Sequence, residues 1–153
     1  TILNKAIYSQ NDAKKEIKRI IGQWINGKMT GYVLGFEGPP GIGKTSLAKI
    51  IVQDILECQY LYINASDESG IDTIRTKVVN FSRTMSLDGQ IKIIILDEPT
   101  SALDSFTRDY IIQEIQLLKK RAIIIIVSHD KNLLDSCDEV YEINDGKLIN
   151  NNT

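Results

Sequence analysis

The sequence predicts an α/β fold in which a parallel sheet is covered by helices on both faces. Two observations carry this expectation. Segments with strand and helix patterning alternate along the chain, and the central apolar runs are apolar at every position rather than at alternate ones. A strand that is apolar on both sides has to be buried on both sides, and only a two-sided cover of helices does that.

Each element follows from its residues. Residues 10–26, "QNDAKKEIKRIIGQWIN", place Ala13, Ile17, Ile20, Ile21 and Trp24 at helical spacing, with Asn11 or Asp12 as cap and a stop near Gly27. "YVLGFEG" (32–38) reads as a short strand that runs into a glycine-rich turn, followed by a helix through about Glu57. "YLYINA" (60–65) is a second strand, and 71–84 a helix with Ile71, Ile74, Val78 and Phe81 on one side. Strand 91–96, helix 105–120, strand 122–127, helix 131–136 and strand 138–143 complete the alternation. Asn144-Asp145-Gly146 predicts a turn, then a short strand and a frayed end. This reading gives one domain over 1–153, with a helical lead-in (1–30), a core (31–143) and a terminal turn and tail (144–153).

Composition narrows the function classes. The chain is 42% hydrophobic and 25% charged, ordinary for a globular domain. A net charge of −2 gives no electrostatic reason to expect nucleic acid or a membrane surface as partner. The one basic cluster, Lys119-Lys120-Arg121, fits the exposed end of a helix. Cys58 and Cys137 lack metal-site spacing and read as reduced thiols in a cytoplasmic setting. The longest apolar runs, 93–96 and 122–127, fall far short of the ~20 residues of a membrane helix.

The chemistry concentrates at three strand ends. "GPPGIGKT" (38–45) fits G-x-x-x-x-G-K-[ST] between a strand and a helix, the context that motif requires. Gly38, Pro39, Pro40, Gly41, Ile42, Gly43, Lys44, Thr45 and Ser46 are therefore the candidate nucleotide-binding residues. The glycines let backbone N–H groups curl around a phosphate at the positive end of the next helix. Lys44 brings charge to the outer phosphates, and Thr45 brings a hydroxyl to Mg²⁺.

A phosphate loop needs an acidic partner on another strand, and "IIILDE" (93–98) supplies one. Asp97 is the candidate metal-shell residue, and Glu98 can align or deprotonate the attacking water. "AIIIIVSH" (122–129) ends in Ser128 and His129 at the same edge, where ligands of open α/β sheets bind. His129, the only histidine, is the candidate γ-phosphate contact beside Lys44 and Glu98 as catalytic residues. No guanine-reading N-K-x-D follows a strand, which favours ATP weakly over GTP.

Three family resemblances meet on these residues. Residues 7–49 resemble the start of an AAA+ ATPase, a resemblance that puts Tyr8 against the adenine. "LYINASDESGIDTIRTKVVNFSRT" (61–84) is similar to clamp-loader subunits of the replication factor C type. Residues 86–149 resemble the second half of an ABC-type ATPase, with Asp97 and Glu98 as its acidic pair, Ser101–Asp104 as its D-loop and His129 as its switch histidine. The ABC signature is reduced to Ser86-Leu87-Asp88-Gly89-Gln90, and the helical subdomain has no counterpart. From the AAA+ side, no lid domain and no assignable arginine finger follow. A join of this kind points to an engineered, recombined or generated chain, with a divergent natural protein as the alternative.

The resemblance implies a P-loop NTPase with strand order 5-1-4-3-2, binding Mg-ATP and hydrolysing it slowly until a homodimeric or oligomeric partner completes the site. The alternatives are a non-catalytic module in which ATP stabilises fold or interface, and a clamp-loader-like ATPase on DNA. The acidic balance argues against the last.

Overall fold

The computed structural model of the chain describes residues 15, 19, 22, 32–38, 48–49, 60–64, 71–83, 93–120, 122–144 and 147–150. Tyr8, Pro39 to Ser46, Cys58 and the 86–90 segment lie outside the described residues. Strands β1 (Tyr32–Glu37), β2 (Tyr60–Asn64), β3 (Ile93–Asp97), β4 (Ile123–Val127), β5 (Glu139–Asn144) and β6 (Lys147–Asn150) form one sheet in the order β2-β3-β4-β1-β5-β6. The first five are parallel, so the expected order 5-1-4-3-2 is the order found. β6 turns back antiparallel on β5, with Asn144 opposite Lys147 across a two-residue connection, as the Asn-Asp-Gly turn predicts.

Helices α1 (Ile71–Arg83), α2 (Ser105–Leu118) and α3 (Lys131–Asp135) join these strands. Lys15, Arg19, Gly22, Ala48 and Lys49 are also helical, in the two stretches where the sequence predicts helix. α2 ends two residues before the predicted Lys120, and β3 (Ile93–Asp97) runs one residue past the predicted end at 96. The shift matters, because it makes Asp97 the last residue inside the strand.

Alternation within the strands sends the core to both faces. Leu34, Phe36, Ile93, Ile95, Ile125 and Val127 pack with Ala48 on one face. Val33, Ile94, Leu96, Ile124 and Ile126 pack with Val78, Ile111, Ile115 and Leu133 of the three named helices on the other. Burying each such side chain contributes about 1.5–3 kcal/mol, which makes these two faces the main source of stability. Ile74 and Phe81 lie against the second cluster with Val78, as their spacing predicts.

α1 and α2 do not close completely. Ile74, Val78, Val79, Leu96, Pro99 and Ile111 border a cavity of ≈ 40 Å³ beneath the Arg75–Glu114 ion pair, whose charged groups are 3.3 Å apart. A cavity with so apolar a lining gives a water molecule no partners.

Asp138 ties three elements together. Its Oδ2 accepts from Val33 N at 2.8 Å, its N–H donates to Val33 O at 2.9 Å, and Oδ1 pairs with Lys119 Nζ at 3.0 Å. The entry to β5 is thereby locked against β1 and the end of α2. Cys137 next to it is a free thiol pushed up to about 12 by burial, with Asp138 and Asp135 adding to the effect. It is one of the reduced thiols expected from the sequence.

Gly35 lies in β1 where α3 approaches most closely. A Cβ there would come within 2.9 Å of Leu134 Cδ2 and 3.1 Å of Cys137 Sγ. Gly35→Val should therefore lower stability by about 1–3 kcal/mol through overpacking, with Gly35→Ala milder because Leu134 can shift; equilibrium urea unfolding measures both.

α2 begins at Asp104, whose extended backbone (φ −67°, ψ 167°) and side-chain acceptance from Thr107 N at 2.8 Å make it the N-cap. The same hydrogen bond from the Thr107 amide holds its carboxyl below the ordinary value of 3.8. A lowered folded-state pKa adds stability above the unfolded value, and that stability is lost as pH falls through the folded value. Asp104→Asn keeps a capping oxygen but cannot ionise. Thermal melts should place parent above variant at pH 6, with the gap closing below pH 3.8.

Candidate active site

Register brings the candidate residues to one edge. Asn64 is opposite Asp97, Asp97 opposite Val127, and Val127 opposite Phe36, so four strands finish in one row. Beyond this row come Glu37 of β1 and then Gly38, Glu98 after β3, and Ser128 and then His129 after β4. Glu98 N donates to Val127 O at 2.8 Å and Ser128 N to Phe36 O at 3.2 Å, which carries the sheet's order one residue past its end. The first residue of the predicted phosphate loop, Gly38, therefore sits at the same edge as the acidic pair.

Glu98 is the one non-glycine residue with positive φ among the described residues, at 47°. An L-residue in this left-handed region costs about 1–2 kcal/mol, so the surroundings must hold it there. They hold its carboxylate at both oxygens. His129 Nδ1 lies 2.9 Å from Oε1, and Ser128 Oγ donates to Oε2 at 3.3 Å. Ser128 is fully buried, whereas the His129 side chain is 74% exposed and Glu98 27%. The histidine thus reaches out over the edge while it bonds inward to the glutamate.

Asp97 has a different partner. Tyr62, one strand over on β2, donates its hydroxyl to Asp97 Oδ2 at 2.7 Å, and Lys49 Nζ lies 3.9 Å above the Tyr62 ring. Lys49 lies in the helical stretch that the sequence predicts after the glycine-rich segment, five residues beyond Lys44 in sequence. The tyrosine therefore connects that helix to the candidate metal carboxylate.

A second polar group lies behind Glu98. Thr100 Oγ1 donates to Asp130 Oδ2 at 2.7 Å, Asn132 N to Asp130 Oδ1 at 3.1 Å, and Asp130 N to Ser128 Oγ at 3.1 Å. Arg108 Nε comes within 3.0 Å of Asp130 Oδ2 but makes no hydrogen bond, so this contact is one of charge. Tyr62, Thr100, Arg108 and Asp130 were not among the residues predicted from sequence. Asp130 had a legible signal, an acid directly before a short apolar helix, which is the pattern of an N-cap.

No group of three or more His, Cys, Asp or Glu side chains converges to hold a metal among the described residues. The donor chemistry fits Mg²⁺ all the same, since that ion keeps its waters and is usually held by one or two carboxylates together with substrate phosphates. Asp97, fixed by Tyr62 at a strand end, is a carboxylate of that kind. Lys44 and Thr45 are outside the described residues. No helix among the described residues is long and apolar enough to cross a membrane.

The strain at Glu98 separates two substitutions. Glu98→Ala and Glu98→Gly both remove the carboxylate, but only glycine relaxes the backbone. In chemical denaturation the glycine variant should be the more stable of the two by about 1 kcal/mol; equal stability would mean that the left-handed backbone stores no strain.

Comparison with known proteins agrees with this geometry. The chain matches the family model described as "ATPase family associated with various cellular activities (AAA)" over residues 34–139. It is 41% identical over 101 residues to a replication factor C small subunit of Sulfolobus acidocaldarius, covering 63% of this chain and 30% of that protein. It is 50% identical over 68 residues to replication factor C subunit 4 of Encephalitozoon cuniculi, covering 43% of this chain and 22% of that protein. A replication factor C large subunit of S. acidocaldarius is 38% identical over 93 residues, 60% of this chain and 21% of that protein. The chain thus spans less than a third of the length of these relatives. The family match begins inside β1 and ends inside β5, spanning the whole row of strand ends that carries Asp97, Glu98 and His129. The chain belongs to the AAA family of ATPases.

Proposed function

We propose that this domain binds Mg-ATP at the shared strand edge and hydrolyses it slowly, with a second subunit completing the site. The observation that carries the reading is the junction of Glu98, His129 and Ser128 beside Asp97, at the edge where Gly38 opens the glycine-rich turn. Lys44 and the loop amides from Gly38 to Ser46 would hold the phosphates, and Thr45 and Asp97 the magnesium, which neutralises charge on the phosphate oxygens when bound. Glu98 would accept the proton of the attacking water. His129, exposed and bonded to Glu98, would pass from the glutamate to the γ-phosphate as substrate enters. Tyr8 would border the adenine.

A partner is supported by the surface next to the site. Ser101, Ala102, Asp104 and Ser105 are exposed, and Phe106 is 83% exposed one residue further on. A large aromatic ring in that position suits an interface anchor, and the relatives named above are themselves subunits. The ABC-like reading of 86–149 and a recombined or engineered origin rest on those sequence segments alone, and the AAA match runs through both halves. Without a partner's cation or signature loop, turnover should stay well below the ~10 s⁻¹ of a median enzyme and climb with protein concentration if self-association closes the site.

A second reading, an ATPase that works on DNA, is favoured by the replication factor names of the relatives and weighs against the expectation that nucleic acid is no partner. The charge of −2 opposes it. DNA affinity with and without ATP, at stated salt, separates the two.

Titration with a fluorescent ATP analogue should give no binding for Lys44→Ala at an unchanged melting temperature. Glu98→Gln should bind as the parent does and lose turnover. Equal affinity in Lys44→Ala and parent removes the phosphate-site assignment, and a Glu98→Gln variant as active as the parent removes the role of the glutamate.

A further inference from the structure

We propose that Asp130, with Thr100 and Arg108, is a positioning device that ties the exposed 101–104 loop to the Glu98 carboxylate, so that a subunit seated on that loop sets the glutamate's orientation. The inference rests on the proposed catalytic role of Glu98 and adds its regulation.

Buried polar groups make the argument. Thr100 (3% exposed) and Ser128 (fully buried) are the polar residues buried within the described core, and both belong to this group. Burying a hydroxyl is costly unless it is hydrogen-bonded. Each hydroxyl here is used to link segments that are distant in sequence. Thr100 donates across to Asp130, and Asp130 N donates to Ser128 Oγ. Ser128 Oγ in turn donates its own hydrogen bond to Glu98 Oε2. A hydroxyl that accepts on one side and donates on the other is polarised in both directions, so the links strengthen one another.

Arg108, one turn into α2, adds its charge to the same Asp130 oxygen that Thr100 uses. Thr100 is also fixed to the loop, since Leu103 N donates to Thr100 O and Ser101 N to Glu98 O, each at 3.3 Å. A displacement of residues 101–104 reaches the Glu98 main chain directly, through Ser101 N, and reaches its carboxylate through Thr100, Asp130 and Ser128. If Asp130 only capped α3, through Asn132 N, neither Thr100 nor Arg108 would need to reach it.

His129 gives a readout that needs no nucleotide. It is the only histidine, so its two ring ¹⁵N resonances are assigned without ambiguity, and it bonds directly to Glu98 Oε1. At one fixed pH, Thr100→Val and Arg108→Gln should move these resonances in the direction produced by Glu98→Gln, and Thr100→Ser should leave them in place. Arg108 is only half-buried and its Nε makes no hydrogen bond, so its variant keeps the test open even where Thr100→Val lowers stability. With ATP, both variants should lose up to about 10²-fold in kcat, as a misplaced catalytic group does, at unchanged affinity for the fluorescent analogue. Resonances at the parent positions in both variants overturn the proposal, as does a fall in kcat matched by an equal fall in affinity. A parent that binds no nucleotide defeats the functional reading instead, and the histidine resonances still decide this one.

Discussion

The site depends on one constraint, the parallel register of β2, β3, β4 and β1. A parallel ladder has evenly spaced hydrogen bonds and no local turn to set its alignment, so the packing of side chains on both faces has to do it. A slip of one residue would exchange the two faces of β3, moving Ile93 and Ile95 away from Phe36 and Val127 and bringing Ile94 and Leu96 in their place. The same slip would take Asp97 out of line with Val127 and separate Glu98 from Ser128. Core and chemistry are therefore specified by the same register, and a substitution deep in the sheet reaches the site through it.

The sequence made some of this legible and not the rest. The uninterrupted apolar runs at 93–96 and 122–127 identified the central strands, because burial on both sides leaves no room for polar alternation. Asp97, Glu98 and His129 could be found because each follows such a run directly. Strand order came from family resemblance, since periodicity says which residues are buried and nothing about which strand lies alongside. The partners of the acidic residues were not legible. Tyr62 reads as one more aromatic in a strand, and only the pairing of β2 with β3 brings its hydroxyl to Asp97. Thr100 and Arg108 meet Asp130 from some 20 to 30 residues away, through a turn and a helix whose mutual placement no spacing rule encodes.

Glu98 shows how local preference and tertiary structure can conflict at a proposed site. Its backbone favours a different conformation, yet the amide is drawn to Val127 O and the carboxylate to His129 and Ser128. Such conflicts are expected where chemistry, and not folding alone, selects the geometry. α2 starts at a well-formed cap and ends at Lys119, whose amide still reaches Ile115 O.

The void between α1 and α2 gives the molecule a mechanical asymmetry. Hydrostatic pressure favours whichever state has the smaller volume, and unfolding removes internal space. The ≈ 40 Å³ cavity lies on the α1/α2 side, against Leu96 and Pro99, which flank the acidic pair. Compression would therefore act where these helices meet the end of β3. The segment that carries the proposed catalytic carboxylate is thus also one that borders compressible space.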